Sequence, residues 1–316
     1  MLARKALDQK AVGLMLLLCL IWGLQQVVLK ATAQDMSPLL QLALRSGVAA
    51  ALVAAMMWTR GEHRGAVPGS WRPGLAVGLL FGAEFVLVGE GLRHTSASHM
   101  VVFLYTAPVF AALGLHWRLP AERLAPLQWL GIALAFSGLC IAFLGDGGAA
   151  VAPSAQMLWG DLLGLTAGAL WGATTVVVRC SRLSSAPATQ TLLYQLLGGF
   201  VLLLAAALAS GQTGFTLTPS LWASLAFQSL VVAFASFLVW FWLLRHYLAS
   251  RLGVFSFLTP LFGVVLGALL LDEELDTHFL LGGVPLLAGI VLVGGHAAVG
   301  QALGRLFRLL RRTAPA

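Results

Sequence analysis

Residues 92–98 of this chain read LRHTSAS, and residues 244–250 read LRHYLAS. The two stretches lie 152 positions apart. Earlier in the chain, a Trp-Gly pair at residues 22–23 is matched by a second pair at residues 171–172, at an offset of 149. Because the matches keep their order along the chain, they predict an internal repeat of two related halves.

The chain is too apolar to be a soluble protein. Of its 316 residues, 59% are hydrophobic and only 10% are charged, whereas a soluble domain has about 25% charged residues. Apolar runs long enough to cross a bilayer as helices recur along the chain. The sequence therefore predicts an all-α integral membrane protein with ten transmembrane helices, at residues 11–33, 38–59, 73–93, 97–117, 126–145, 158–179, 187–209, 222–244, 249–271 and 279–299.

Each half contains five of these predicted spans. Because five is an odd number, the second half must enter the membrane from the opposite side, which gives a 5+5 inverted-topology repeat. The predicted units are a first repeat at residues 1–148, a second, inverted repeat at residues 149–300, and a basic cytoplasmic tail at residues 301–316. Transporters built from inverted repeats bind their substrate near the membrane midplane, between the halves.

The positions of the basic residues predict the orientation. With the N-terminus inside, the inside segments contain 16 of the 19 Lys and Arg residues, which is the bias of cytoplasmic loops. An acidic cluster at residues 272–276 then lies outside. Both termini are thus predicted to be cytoplasmic, with the tail against anionic lipid. The basic residues are scattered singly, so the net charge of +7 does not indicate a nucleic-acid partner.

Ionisable side chains within the spans are candidates for function, because they are costly in lipid and normally face the protein interior or water. Glu84 lies near the middle of the third span, where it could bind a substrate ammonium group or exchange a proton; a structural pair with Arg45 is the alternative. His99, just inside the fourth span, could titrate near neutral pH and contact substrate; an interfacial packing histidine is the alternative.

Aromatic, amide and hydroxyl side chains in the same spans predict a cavity for an amphipathic solute, which needs an apolar wall with a few polar contacts. Lipid-facing or interfacial positions are the alternative for each of them. The candidates are Trp22, Gln25, Gln26, Phe81, Phe85, Tyr105, Trp171, Thr174, Thr175, Phe237 and Trp240.

Two prolines match across the predicted halves, again at an offset of 152. Pro108 and Pro260 lie within the fourth and ninth spans, and a proline inside a helix removes one backbone hydrogen bond. They predict hinge-like or cavity-shaping bends, with a static kink as the alternative.

Glycines at four-residue spacing predict close helix packing. The sixth span has such a series at Gly160, Gly164, Gly168 and Gly172.

These motifs together resemble a family of membrane proteins. The Trp-Gly pairs, residues 92–98, and the mid-span sequences APVF at residues 107–110 and TPLF at residues 259–262 are similar to those of the drug/metabolite transporter superfamily. Within it the chain resembles the EamA-type exporters, and among these the bacterial aromatic amino-acid exporter group. The resemblance implies ten helices, a bacterial inner-membrane location with both termini cytoplasmic, and export through a central cavity.

The predicted function is a secondary transporter that exports amino acids, aromatic or neutral, or related small metabolites by alternating access. Protons are a candidate coupling ion. The alternative is a multidrug carrier or a nucleotide-sugar or sugar-phosphate carrier of the same superfamily. Phosphate groups would require cationic side chains in the cavity, for which Lys30, Arg45 and Arg93 are the candidates. A channel is disfavoured by the lack of a ring-forming polar helix.

An enzyme is not predicted, because the chain lacks HExxH, GxSxG and Walker A motifs. Cys19, Cys140 and Cys180 show no CxxC spacing, so no metal or other cofactor is predicted. The expected partners are a small-molecule substrate and the lipid bilayer.

Overall fold

A computed structural model describes residues 4–65, 67–144, 154–271 and 277–313, with side chains described up to residue 295 except at residues 63, 64 and 271. The acidic cluster at residues 272–276, the predicted boundary between the halves at residues 148–149, and the side chains of the basic tail lie outside the described residues.

The described residues form helices joined by short connections, without a strand. The helices are α1 (Gln9–Ala31), α2 (Pro38–Thr59), α3 (Trp71–Gly91), α4 (Ala97–Leu104), α5 (Ala107–Arg118), α6 (Pro126–Leu144), α7 (Ala155–Cys180), α8 (Ala188–Ala209), α9 (Pro219–Ala226), a π-helical segment (Phe227–Ser236), α10 (Phe237–His246), α11 (Ala249–Phe255), α12 (Leu258–Leu271) and α13 (Thr277–Thr313).

In the described part of the chain these helices make ten spans that are long and apolar enough to cross a membrane. The predicted all-α membrane fold with ten helices is therefore confirmed. Three spans are not simple helices: the fourth is α4 and α5, the eighth is α9, the π-helical segment and α10, and the ninth is α11 and α12. The backbone of α13 continues without a break from the tenth span to Thr313.

Five helices begin at a short polar residue whose side-chain oxygen accepts the backbone N–H three residues further on. Such a cap satisfies one of the N–H groups that the first helical turn leaves unpaired. The capping residues are Asp8, Ser37, Ser96, Ser154 and Thr218.

Backbone and side-chain contacts define the two ends of the bundle. At the N-terminal end, the Lys5 N–H donates to the carbonyl of His246 (2.9 Å) and the Tyr247 hydroxyl donates to Asp8 (2.9 Å). At the opposite end, the Thr216 N–H donates to the carbonyl of Asp35 (2.8 Å). Helix α1 runs from the N-terminal end to the opposite end, whereas α7 runs the other way. This antiparallel arrangement is consistent with the predicted inverted repeat, which remains a prediction.

Glycines set the closest helix approaches. A Cβ atom built on Gly78 of α3 would lie 2.7 Å from the carbonyl oxygen of Tyr194 and 3.0 Å from the Cα atom of Gly198 on α8. The two helices therefore pack backbone against backbone. The glycine series of α7 faces the fourth span in the same way, with Gly168 against Thr106. Small residues at such crossings are what allow membrane helices to pack closely.

We expect Gly78→Ala to lower the free energy of unfolding by about 1–3 kcal/mol, because the added methyl group overpacks the crossing with α8. The matched control is Gly89→Ala on the same helix, where an added Cβ meets no atom within 4 Å. The control should be neutral, or stabilising by about 0.5–1 kcal/mol. Unfolding of both variants in mixed detergent micelles measures the difference, and equal stabilities would contradict the assignment of this crossing.

Candidate functional site

A cavity of about 830 Å³, measured with its open mouth, lies between the first, third, fourth, sixth, seventh, eighth and ninth spans. Its lining is mainly aromatic, with a few amides and hydroxyls and one carboxylate. The lining residues are Trp22, Gln25, Gln26, Phe81, Glu84, Phe85, Leu104, Tyr105, Trp171, Thr174, Thr175, Val178, Gln195, Phe237, Trp240, Phe241, Leu244 and Thr259.

Twelve of the thirteen residues that the sequence predicts for substrate binding line this one cavity. The structure therefore brings them together, and their contact with substrate remains a prediction. Six lining residues are missed by the sequence prediction. Phe241 is one turn from Phe237 and could have been found by helical spacing, and Thr259 precedes the matched Pro260. Leu104, Val178, Gln195 and Leu244 carry no signal that separates them from ordinary span residues.

Edge-to-face aromatic contacts form two groups in the cavity wall. In the first, the ring of Trp22 lies 5.7 Å from that of Trp240 and 6.4 Å from that of Phe237, measured between centroids. The indole N–H of Trp22 donates to the Ser236 hydroxyl (3.0 Å). In the second group, Tyr105 and Trp171 are 5.4 Å apart. Such pairs favour defined ring orientations, so the apolar walls are preorganised.

Glu84 places a carboxyl group in this aromatic surrounding. Its side chain lies on α3, is only 7% exposed, and lines the cavity. Within the described residues it accepts no hydrogen bond, and its one charged neighbour is Arg45. Because a buried carboxylate is strongly destabilised unless it is paired or hydrated, Glu84 requires a cation, a proton or cavity water as its partner.

Arg45 of α2 lies directly behind the cavity wall and is 1% exposed. Its Nη1 donates to the amide oxygens of Gln25 and Gln228, the latter at 2.8 Å. The guanidinium carbon lies 5.6 Å from the ring centroid of Phe85 and 5.9 Å from that of Phe237. Arg45 and Glu84 interact electrostatically, but they form no ion pair within 4.0 Å. The predicted alternative of a direct structural pair therefore has no contact to support it.

His99 does not line the cavity. It lies at the opposite end of the bundle, where its Nδ1 is 3.1 Å and 3.2 Å from the two carboxylate oxygens of Asp161 on α7. The Thr95 hydroxyl donates to the same carboxylate (2.6 Å). The ring of His99 is thus held by a carboxylate outside the residues that line the cavity, and its predicted contact with substrate has no support from this geometry and remains a prediction.

The two prolines lie just after interruptions of their spans. Pro108 is in the first turn of α5, after the break at Tyr105 and Thr106, and Pro260 is in the first turn of α12, after the break at residues 256–257. A proline in the first turn of a helix gives up no hydrogen bond. At both positions the helix is therefore interrupted for two residues beside the cavity. Movement at these interruptions remains a prediction.

Comparison with known proteins identifies the family. The sequence model of the EamA-like transporter family matches residues 9–144 and, separately, residues 158–295. The chain belongs to the EamA-like transporter family. It is therefore a multi-pass membrane protein and a transporter rather than an enzyme.

Curated relatives agree with this assignment. An uncharacterized transporter of Archaeoglobus fulgidus is 27% identical over 90% of this chain and 98% of its own length. A protein of Salmonella typhimurium named "Probable amino-acid metabolite efflux pump" is 27% identical over 88% of this chain and 93% of its own length. A crystal structure with 19% identity superposes with a TM-score of 0.73, over 90% of this chain and 96% of that chain, which shows the fold.

A buried ionic cluster lies between the cavity of this EamA-family transporter and the N-terminal end. Arg179, at the end of α7, forms a buried salt bridge with Glu122. Glu122 also accepts from the backbone N–H groups of Ala249 and Ser250 (both 3.1 Å) and from the Ser250 hydroxyl (2.7 Å). Arg179 donates to the carbonyl of Leu244, a cavity residue (3.2 Å). We call these residues the Glu122 cluster. It joins the ends of the fourth, sixth, eighth and ninth spans.

Removal of one partner of the Glu122 cluster should be strongly destabilising. We expect Arg179→Gln to cost about 3–5 kcal/mol, because it leaves the Glu122 carboxylate buried without its cation. The double variant Glu122→Met with Arg179→Met should recover most of that loss, because a buried pair is often replaced by apolar side chains at little cost. Arg182→Gln, at an exposed arginine three residues further on, is the control.

The measurement is the midpoint of thermal unfolding of the purified transporter in detergent. Equal midpoints for Arg179→Gln and Arg182→Gln would contradict a role of the Glu122 cluster in closing this end of the bundle.

Proposed function

We propose that this transporter exports amino acids with aromatic or neutral side chains, or related small metabolites, through the central cavity by alternating access. The observation that carries the proposal is the carboxylate of Glu84, which is buried, surrounded by aromatic rings, and without a hydrogen bond from any of the described residues. An α-amino acid offers an ammonium group for that carboxylate. Its side chain fits the walls formed by Trp22 and Trp171.

The relatives support the same substrate class. The Salmonella typhimurium protein, whose printed name refers to amino-acid metabolites, aligns with nearly the whole chain. At 27% identity this supports the class of solute and not a particular one. The cavity adds the preference for aromatic side chains, because ring–ring contacts reward an aromatic solute and an ammonium group over an indole face gains further attraction.

The predicted orientation identifies the cytoplasmic side of the transporter. We place both termini in the cytoplasm of a bacterial cell, on the basis of the basic residues of the inside segments. In that orientation the Glu122 cluster lies on the cytoplasmic side of the cavity residue Leu244. Export requires this cluster to open, load solute from the cytoplasm, and close again while the opposite end opens, with the two predicted halves rocking around the cavity. Exchange of a proton at Glu84 would couple the cycle to the proton gradient.

Carriers of sugar phosphates or nucleotide sugars are less well supported by the cavity. None of the 18 lining residues is Lys or Arg, and the Glu84 carboxylate in the wall would repel a phosphate group, which has no positive charge of its own. Phosphate recognition needs cationic or strong donor groups in direct contact. A multidrug carrier for lipophilic cations remains the second candidate, because an aromatic cavity with one carboxylate also suits such cations.

We expect Glu84→Gln to reduce transport of labelled phenylalanine into proteoliposomes by about tenfold or more, because the amide cannot pair with the ammonium group and charged hydrogen bonds contribute about 1.5–3 kcal/mol. The matched control is Glu90→Gln on the same helix, where the carboxylate is exposed and pairs with Arg93 and His94. The control should transport normally.

Undiminished transport by Glu84→Gln would overturn the role of Glu84. A lipophilic cation that is transported while phenylalanine is not would favour the multidrug function instead.

A further inference from the structure

Arg45 differs from the other buried arginine of the described residues, because none of their carboxylates contacts it. Arg179 has Glu122 as an ion-pair partner. The acceptors of Arg45 are two neutral amide oxygens, from Gln25 and Gln228. A buried guanidinium of this kind is held at a substantial cost in desolvation, so an anion that reached it would be bound strongly.

The hydrogen bonds of Arg45 leave one edge of the guanidinium open. Both amide oxygens accept from the same nitrogen, Nη1. Nε is buried without a partner, and Nη2 donates to none of the described residues. A guanidinium can bind a carboxylate through two parallel hydrogen bonds, either from Nε and Nη2 or from Nη1 and Nη2. The described part of the chain provides no acceptor for Nη2, which belongs to both arrangements.

The cavity wall in front of Arg45 can be opened by one side chain. Gln25 lines the cavity and at the same time accepts from Arg45, and the flanking rings of Phe85 and Phe237 also line the cavity. If the Gln25 side chain changes rotamer, the guanidinium faces the cavity between these two rings. A carboxylate that replaces the Gln25 carboxamide would accept from Nη1 with one oxygen and from the free Nη2 with the other.

We propose that Arg45 binds the carboxylate of the substrate after displacing Gln25, while Glu84 binds its ammonium group, so that the site selects zwitterionic α-amino acids. This inference rests on the proposed function and deepens it. A zwitterion satisfies both buried charges and leaves the cavity neutral. A simple amine would leave Arg45 without an anion, and a simple acid would leave Glu84 without a cation. The aromatic walls contribute affinity for the side chain but do not distinguish these three classes.

The test compares ligands that differ only in their charged groups. The purified full-length transporter in lipid nanodiscs is titrated with labelled phenylalanine, and unlabelled phenylalanine, phenylalaninamide and phenethylamine compete. The last two lack the carboxylate but keep the ammonium group and the ring. We expect both to bind about tenfold to a hundredfold more weakly than phenylalanine, the range for hydrogen bonds to charged groups.

The same competition is repeated with three variants. In Arg45→Gln the preference for phenylalanine over phenylalaninamide should disappear. Arg45→Lys, which keeps the charge but not the fork, should retain part of it. Arg93→Gln, at an exposed arginine that pairs with Glu90, should retain it in full. A merely structural role of Arg45 would weaken all ligands alike and leave the preference unchanged.

The outcomes separate the inference from the proposed function. If phenylalanine neither binds nor is transported by the unmodified protein, the proposed function fails and the inference with it. If phenylalanine is transported but phenylalaninamide competes equally well, the inference is overturned and amino-acid export stands. The comparison of phenylalanine with phenylalaninamide on the unmodified protein tests the inference even if Arg45→Gln does not fold. A preference that persists in both Arg45 variants would also overturn the inference.

Discussion

The hydrocarbon core of a bilayer contains no water, so each polar group buried there must be satisfied by the protein or by a water-filled cavity. The structure meets this constraint in two ways. In the Glu122 cluster, both carboxylate oxygens accept hydrogen bonds, two nitrogens of Arg179 donate them, and the ends of four spans are held together. Around the cavity, Glu84 has no hydrogen-bond partner within the described residues, and Arg45 has only neutral amide partners. The first arrangement stabilises one end of the bundle, and the second leaves charges available to a solute.

Interruptions of the helices and close contacts at glycines position Glu84 and Arg45 at the cavity. The fourth and ninth spans are interrupted beside the cavity. The eighth contains a π-helical segment that places Gln228 against Arg45 and Ser236 against Trp22, and the adjacent Phe237 lines the cavity. Interruptions of this type often mark functional sites. Close packing at the glycines of α3 and α7 fixes the positions of these helices against α8 and the fourth span.

The sequence predicts the fold well, because span length and hydropathy are local properties. It also predicts most of the cavity wall, because matched positions in the two halves point to one region: Trp22 and Trp171 both line it. It fails where the structure depends on contacts between distant segments. The pairing of Glu122 with Arg179 carries no local signal, and neither does the pairing of Asp161 with His99. The π-helical segment contains no proline or glycine that would have indicated it.

The role of the cavity and of Glu84 is tested by a structure of the transporter in lipid nanodiscs with bound phenylalanine. We expect the solute in the central cavity, with its ring near Trp22 or Trp171 and its ammonium group within hydrogen-bond distance of Glu84. A phenylalanine molecule that is transported but binds outside this cavity, or that lies within it with its ammonium group away from Glu84, would contradict this role.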